Sequence, residues 1–297
     1  AVTYSENIFV KKLQGYFYLM KPRVMILVIF TAFVGMMLAP EIILPINYFY
    51  VLLSISLGAG SSAAINMWFD EDIDKSMERT KTRPIPLGII SKKEALLFGI
   101  LTGILSLFIM YYSSNTLATS LLLFTIFFYI FIYTFWLKRT TSLNIVIGGA
   151  AGAIPPIIGW ASVIPEISYL PVVMFLIIFF WTPSHFWALS LYKSDDYKKA
   201  KIPMLPLTNG VESTKINIFI YSLLMLPVVI FPYAINFVGL TFLIPSLLLT
   251  FYYNFLCFEL YNYKKNKFNP KKAKSIFGFS ILYLFLVFVL FLIDKIL

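Results

Sequence analysis

Charge, sulfur and histidine are scarce in this sequence. Of 297 residues only 13% are Asp, Glu, Lys or Arg, with one cysteine (Cys257) and one histidine (His185), whereas 60% are hydrophobic. An average soluble domain carries about 25% charged residues. A soluble globule of this size cannot bury so much apolar surface, and the mean hydropathy of +0.84 says the same. A single cysteine excludes an internal disulfide and a cysteine-based metal cluster. The composition of a disordered chain or a disulfide scaffold is missing as well. A polytopic membrane protein is left, with the lipid bilayer as its surroundings. The net charge of +10 raises nucleic acid as a partner by its size alone. In a membrane chain the placement of charge matters more than its sum, so no nucleic-acid partner is expected.

Nine apolar stretches are long enough to cross a hydrocarbon core of about 30 Å. They lie near 24–39, 47–68, 95–112, 116–136, 143–163, 168–191, 216–238, 240–261 and 275–293. Their Leu, Ile and Phe content points to helices, since barrel strands alternate apolar and polar residues in segments of about 10. The expected fold is therefore all-α, with nine transmembrane helices around a central cavity, arranged as two four-helix halves plus one helix. Residues 1–297 form one intramembrane domain, with a cytoplasmic N-terminal segment at 1–23 and cytoplasmic Asp-rich loops at 69–94 and 192–215. No removable signal peptide is expected, because the first apolar run follows Lys21-Pro22-Arg23 and leads into further spans. The chain begins at Ala1 without Met, as it would if a few N-terminal residues were missing.

Lys and Arg divide by side. The segments before the first span and at 69–94, 137–142, 192–215 and 262–274 hold 23 of the 24 basic residues. All five fall on one face of a nine-span chain, and the opposite connections hold none. Lys295, beyond the last span, is the exception. Basic loops remain cytoplasmic during insertion, which puts the N-terminus inside and the C-terminus outside. The expected location is a prokaryotic cell (inner) membrane.

Half of the 14 acidic residues occupy two short windows on that basic face. Asp70, Glu71, Asp72, Asp74 and Glu78 follow the second span, and Asp195 and Asp196 follow the sixth. If the second span continues as a helix, Asn66, Asp70 and Asp74 share one face at i, i+4 and i+8. Stacked oxygen side chains repel one another unless a cation bridges them, and hard oxygen donors suit Mg²⁺. The alternative is a solvated helix end. Arg79, Lys81 and Arg83 follow at once, and Arg offers a planar fork to phosphate oxygens. Such alternation beside an apolar chamber suits a diphosphate carrying a lipid tail; the alternative is ordinary cytoplasmic basic residues, as expected for Lys92, Lys93 and 264–274. The second window, from Tyr192 to Pro206, repeats the pattern: Lys193, Lys198, Lys199 and Lys201 flank Asp195-Asp196. Each window follows the second helix of a four-span half, which predicts one carboxylate patch per half, meeting across the cavity.

The first window, Asn66-Met-Trp-Phe-Asp70-Glu-Asp-Ile-Asp74 with Met77-Glu-Arg-Thr-Lys-Thr-Arg-Pro-Ile-Pro86, resembles the Asp-rich motif of UbiA-type intramembrane prenyltransferases. Three further blocks, Asn144 to Trp160, Trp181 to Leu189 and Asp195 to Pro206, together with Lys21-Pro22-Arg23-Val24, resemble the branch of that family whose acceptor is heme. The likeness extends over about the first two-thirds of the chain, and spans seven to nine match only in hydropathy. Two departures stand out. Many members carry a second Asp-x-x-x-Asp motif where this chain has adjacent Asp195-Asp196, and the heme branch usually has Gly where this chain has Lys201.

The resemblance implies that farnesyl diphosphate ionises to an allylic cation, a vinyl group of heme b attacks it, and water quenches the resulting cation as a hydroxyethylfarnesyl substituent. It implies Mg²⁺ (or Mn²⁺) held by Asn66, Asp70, Asp74, Asp195 and Asp196, with Asp70, Asp74, Asp196 and His185 as the catalytic residues. Arg79, Arg83, Lys193 and Lys199 would hold the diphosphate, and the product would pass to a downstream heme-modifying or oxidase-assembly protein. His185, inside the sixth span, either ligates the heme iron or accepts a proton, or else is a hydrogen-bonded structural histidine. Gly148-Gly149 and Pro155-Pro156 are expected to allow close helix contact and to kink the fifth span. Two competing functions are a prenyltransferase with an aromatic acceptor, as in quinone pathways, and a transporter for an anionic solute. Transporter sites sit near the bilayer midplane at broken helices, whereas these acidic windows lie at one surface.

Overall fold

The computed structural model describes residues 2–297, with side chains described from Ile8 onward; among these residues every regular element is helical. Ala1, part of the expected N-terminal segment, lies outside the described residues. Helix α1 (Val2–Leu19) meets α2 (Pro22–Leu38) at a bend of 48°. Lys21 makes the corner with a left-handed backbone (φ 53°, ψ 60°), and Pro22 opens α2, where its missing N–H costs nothing. The chain continues through α3 (Pro45–Phe69), the short α4 (Glu71–Ser76) and α5 (Lys92–Ser113). Then α6 (Thr116–Phe127) runs on through a π-helical stretch (Phe128–Leu137) into α7 (Lys138–Thr140). Helices α8 (Asn144–Ala153) and α9 (Pro155–Val163) form the fifth span, broken before Pro155-Pro156 as expected. After α10 (Tyr169–Tyr192), the short α11 (Ser194–Lys199) and α12 (Leu205–Thr208) fill the second acidic loop. Helices α13 (Gly210–Ala234), α14 (Leu240–Tyr261) and α15 (Pro270–Ile296) complete the chain. Among the described residues, eight helical segments are long and apolar enough to cross a bilayer, and the bent α1–α2 pair supplies a ninth.

Small residues set the closest contacts. A Cβ placed on Gly35 would come 2.2 Å from the Pro156 carbonyl oxygen, and one on Gly159 would come 2.0 Å from that of Ala32. The backbones of α2 and α9 therefore touch, in the manner of membrane helices joined through small residues. Gly148 faces the Tyr133 ring and Gly149 faces Thr182, so both glycines do admit close neighbours. Between α3 and α5, Ser54 donates to the Ser106 carbonyl at 2.7 Å and Ser106 donates to that of Ser54 at 2.8 Å. Outward residues of α5, such as Leu97, Leu101, Ile104 and Phe108, are exposed at helical spacing and form a lipid-facing stripe.

Helix α15 packs on α14 and α10 of the second half and reaches α2 of the first, so it bridges the two. Lys295 makes that link: its Nζ donates to the Met37 and Ala39 carbonyls at 2.5 and 3.0 Å. The only basic residue outside the five basic segments is thus a partner for carbonyls that α2 leaves unsatisfied at its end. Next to it, Asp294 accepts from the backbone N–H groups of Gly239 and Phe242, tying α15 to the start of α14.

Candidate active site

The second span does not continue as one helix through Asp74. It stops at Phe69, and Asp70 (φ −90°, ψ 17°) starts the separate turn α4. Two hydrogen bonds preserve the spacing across this break: Asp70 N–H to the Asn66 carbonyl and Asp74 N–H to the Asp70 carbonyl, at 2.9 and 2.8 Å. Asn66, Asp70 and Asp74 all end up buried.

Each of the three already has a lysine or arginine partner. Lys21 Nζ donates to Asn66 Oδ1 at 2.7 Å, and Asn66 Nδ2 donates to Asp70 Oδ2 at 2.7 Å. Lys138 makes a short ion pair with Asp70 Oδ2, and Arg139 reaches Asp70 Oδ1 at 3.4 Å. Arg83 Nη1 donates to both oxygens of Asp74 at 2.8 Å. The mutual repulsion expected from the sequence is relieved by the protein's own lysines and arginines. A buried charge keeps its ionised form only with such partners.

The π-helical stretch helps to deliver two of these cations. Its wider turns rotate the residues beyond it relative to an α-helix, and Lys138 and Arg139 follow it directly. Thr134 donates to the Tyr129 carbonyl at 2.8 Å and receives Asn66 Nδ2 at 3.3 Å, which joins the stretch to α3. Further out, Arg139 grips Asp72 with two bonds of 2.8 Å and so holds that carboxyl below its ordinary range. Glu71 is held low by Lys75 and Lys92, at 2.8 and 3.0 Å.

The second window docks on the first. Ile73 and Met77 pack into one buried cluster with Tyr197, Ile202, Met204 and Ile145. Of the adjacent pair, Asp196 is buried and Asp195 exposed. Asp196 Oδ2 has no hydrogen-bond partner and is fully enclosed. Arg79 and Lys199 are exposed and Lys193 is half-buried. Lys81 holds the exposed Glu78 low through an ion pair of 2.5 Å, with smaller contributions from Lys199 and Lys193. Lys201 has φ 53°, the left-handed region that favours glycine. This explains the glycine usual at that position: Lys201 adds a charge where the backbone prefers no side chain.

An apolar cavity is linked to the first window through Lys21, which lines it and binds Asn66. Its lining also includes Val28, Ile55, Leu122, Ile126 and Ile158, around about 710 Å³ of empty space including its open side. Its walls come from α2, α3, α6 and the α8–α9 span. His185 is not among the lining residues. It lies in α10, its ring stacked between Trp181 and Phe277 (centroids 4.3 and 4.5 Å away), with Nδ1 2.6 Å from Ser280 Oγ.

Among the described residues, no three His, Cys, Asp or Glu side chains are grouped closely enough to hold a metal on their own. The donors nevertheless fit Mg²⁺, which needs only one or two carboxylates when phosphate oxygens and water complete its shell. Buried carboxylate and amide oxygens are present at Asn66, Asp70 and Asp74, and the enclosed Asp196 Oδ2 lacks the partner that a buried carboxylate requires. Three contributors escaped sequence reasoning: Lys21, Lys138 and Arg139. Lys138 and Arg139 were visible only as two positive charges on the basic face, and Lys21 only as part of a motif.

Comparison with known proteins agrees. The UbiA prenyltransferase family matches residues 28–282. A protoheme IX farnesyltransferase of Pelagibacter ubique is 65% identical over 281 residues, 95% of this chain and 93% of that protein. Another from Rickettsia akari is 50% identical over 278 residues, covering 93% and 90%. Among solved structures, digeranylgeranylglyceryl phosphate synthase aligns with a TM-score of 0.80 at 19% identity, covering 96% of this chain and 99% of that one. A UbiA homolog from Archaeoglobus fulgidus, bound to GPP and Mg²⁺, aligns with a TM-score of 0.71 at 18% identity, covering 93% and 99%. The last two likenesses concern the fold alone. On its motifs, its fold and these relatives, the chain belongs to the UbiA prenyltransferase family, in the branch of the protoheme IX farnesyltransferases.

Proposed function

We propose that this protein transfers a farnesyl group from farnesyl diphosphate to a vinyl group of heme b, giving heme O and diphosphate, as one intramembrane domain. One observation carries the reading: Lys21 both lines the apolar cavity and binds Asn66, so the charged cluster and the apolar space share a wall. The heme acceptor is supported by the relatives' activity and not by the fold. The proposed setting is the inner membrane of a prokaryotic cell, with the acidic windows and the N-terminus on the cytoplasmic side.

Asn66, Asp70, Asp74 and Asp196 would hold Mg²⁺. When bound, the ion neutralises charge that builds on the departing diphosphate. Arg83, Lys138 and Lys21, already at the cluster, turn their donors to diphosphate oxygens, with Arg79, Lys193 and Lys199 on the loops above. The carbon–oxygen bond of the donor breaks, the vinyl group forms the new carbon–carbon bond, and water adds with loss of a proton. The lining of Val28, Ile55, Leu122, Ile126 and Ile158 keeps other water away from the allylic cation.

The test is mass analysis of pigment and diphosphate after incubating purified protein with heme b, farnesyl diphosphate and Mg²⁺. The expected outcome is a farnesylated hydroxyethyl heme with released diphosphate, lost in excess EDTA and restored by Mg²⁺ or Mn²⁺. Undiminished product in EDTA, or prenylation of a hydroxybenzoate and not of heme, contradicts the reading.

A further inference from the structure

The apolar cavity has a graded wall on α3. Counting back from Asn66 of the charged cluster, the α3 residues that line it are Ala63, Ser62, Ala59 and Gly58, all small, and then Ile55, the first large one. Their spacing from Asn66 is helical, so one face of α3 serves both the cluster and the cavity. Helix α6 keeps level with α3 at both ends. Thr134, beyond α6 in the π-helical stretch, receives Asn66 Nδ2 at the cluster, and a Cβ on Gly58 would come 3.0 Å from Leu122 and 3.2 Å from Ile126. Ile55 and Leu122 are each 2% exposed. One turn further on, Val51 and Ala118 are fully buried in the same core and line no part of the cavity. Along these two helices the cavity therefore ends at Ile55 and Leu122.

The length of this path can be counted. Asn66 and Ile55 are eleven residues apart, which is about 16 Å of helix at ~1.5 Å per residue. An extended chain of ~1.5 Å carbon–carbon bonds advances about 1.25 Å per bond, so three isoprene units, with twelve carbons in line, span about 14 Å. Two units span about 9 Å and four about 19 Å on the same count. Three units fit between the cluster and Ile55, and four do not.

A second position lies on the opposite wall. Ile145 of α8 packs with Ile73 and Met77 beside the cluster. Gly152 follows seven residues later, about 10 Å along the helix. It lines the cavity, and a Cβ placed on it would meet nothing within 4 Å outside its own turn. A side chain at this position would thus stand in the cavity where the third isoprene unit begins.

We propose that Ile55 and Leu122 limit the prenyl chain to three isoprene units, and that Gly152 keeps the path of the third unit open. This assignment rests on the prenyl-transfer reading above and adds what selects the donor. Truncation to alanine removes three carbons from Ile55 and three from Leu122, against the five carbons of one isoprene unit.

The test compares geranyl, farnesyl and geranylgeranyl diphosphate as donors to heme b with Mg²⁺, reading kcat/KM from product mass. Binding of each donor is measured separately, without heme, by displacement of labelled farnesyl diphosphate. The wild type is expected to favour farnesyl over geranylgeranyl at least about tenfold, a discrimination that a hydrophobic pocket can make on a single methylene. The chain with both Ile55→Ala and Leu122→Ala is expected to lose that preference. Gly152→Leu is expected to lower farnesyl transfer at least about tenfold and to retain geranyl transfer. A wild type that uses geranylgeranyl as well as farnesyl overturns the proposal. So does an unchanged preference in the folded double variant, or a Gly152→Leu chain that loses geranyl and farnesyl transfer alike. Two truncations in a core can prevent folding, and Gly152→Leu, whose side chain enters open space, then decides the matter alone. Displacement in the expected order of chain lengths with no heme product removes the heme acceptor and leaves the length limit standing. Heme prenylated equally by all three donors removes the length limit and leaves the acceptor.

Discussion

The two acidic windows are built differently. In the first, Asp70 and Asp74 are buried and saturated: Lys138, Arg139, Asn66 and Arg83 occupy their oxygens. In the second, the buried Asp196 has an enclosed oxygen with no partner, while its neighbour Asp195 points to water. A saturated carboxylate can give up a tethered lysine when a better cation arrives, whereas an orphaned one has nothing to give up. Breaking a buried ion pair by removing one partner costs about 3–5 kcal/mol, which explains why the first window supplies its own counter-charges. The duplicated pattern in the sequence thus resolves into one preassembled patch and one incomplete patch, joined through Ile73, Met77, Tyr197, Ile202 and Met204.

The largest effect is expected in the saturated window. Asp70→Ala and Asp74→Ala should each lower turnover at least about 100-fold, corresponding to a loss of roughly 3 kcal/mol of leaving-group stabilisation. The protein should still insert and bind heme. Turnover within twofold of wild type, measured as heme O formed, would mean that the cluster is only a structural ion-pair network.

The incomplete window should respond more mildly and more selectively. Asp196→Asn should slow turnover about tenfold, near 1.4 kcal/mol, and raise the Mg²⁺ concentration needed for half-maximal rate. Asp195→Asn, at an exposed position, should do neither. Equal Mg²⁺ titrations for the two variants would abolish the distinction drawn between the neighbours.

The smallest effect concerns the loop that carries Asp196. Lys201→Gly should relieve a left-handed backbone conformation that costs a side-chain-bearing residue about 1–2 kcal/mol. Part of that gain is offset by the greater freedom of glycine in the unfolded chain. A small rise in thermal midpoint with little change in rate is expected; a large fall in rate would make the Lys201 charge part of diphosphate binding.

Much of this was legible in the sequence for a physical reason. Span number follows from composition summed over windows of about 19 residues, which tolerates local error, and the first span at Pro22–Leu38 is found within two residues of 24–39. The acidic windows were legible because charge is rare in an apolar chain. The partners of those charges were not. Lys138 meets Asp70 across 68 positions and Lys21 meets Asn66 across 45, so pairing depends on helix register. That register is set in part by the π-helical stretch at Phe128–Leu137, which no apolar periodicity announces. The break at Asp70 and the inward turn of Asp196 in place of Asp195 likewise depend on tertiary packing. His185 was visible as a lone histidine in a span, but its hydrogen-bond partner Ser280 lies 95 positions away.

The most direct test of the account is a Mn²⁺ titration of the purified protein, followed by electron paramagnetic resonance in the presence of inorganic diphosphate. Wild type and Asp195→Asn should bind the ion saturably and only with diphosphate present, and a chain carrying both Asp70→Asn and Asp74→Asn should lose that binding. Undiminished, diphosphate-dependent Mn²⁺ binding in the doubly substituted protein would contradict the claim that the Asn66–Asp70–Asp74 cluster holds the metal.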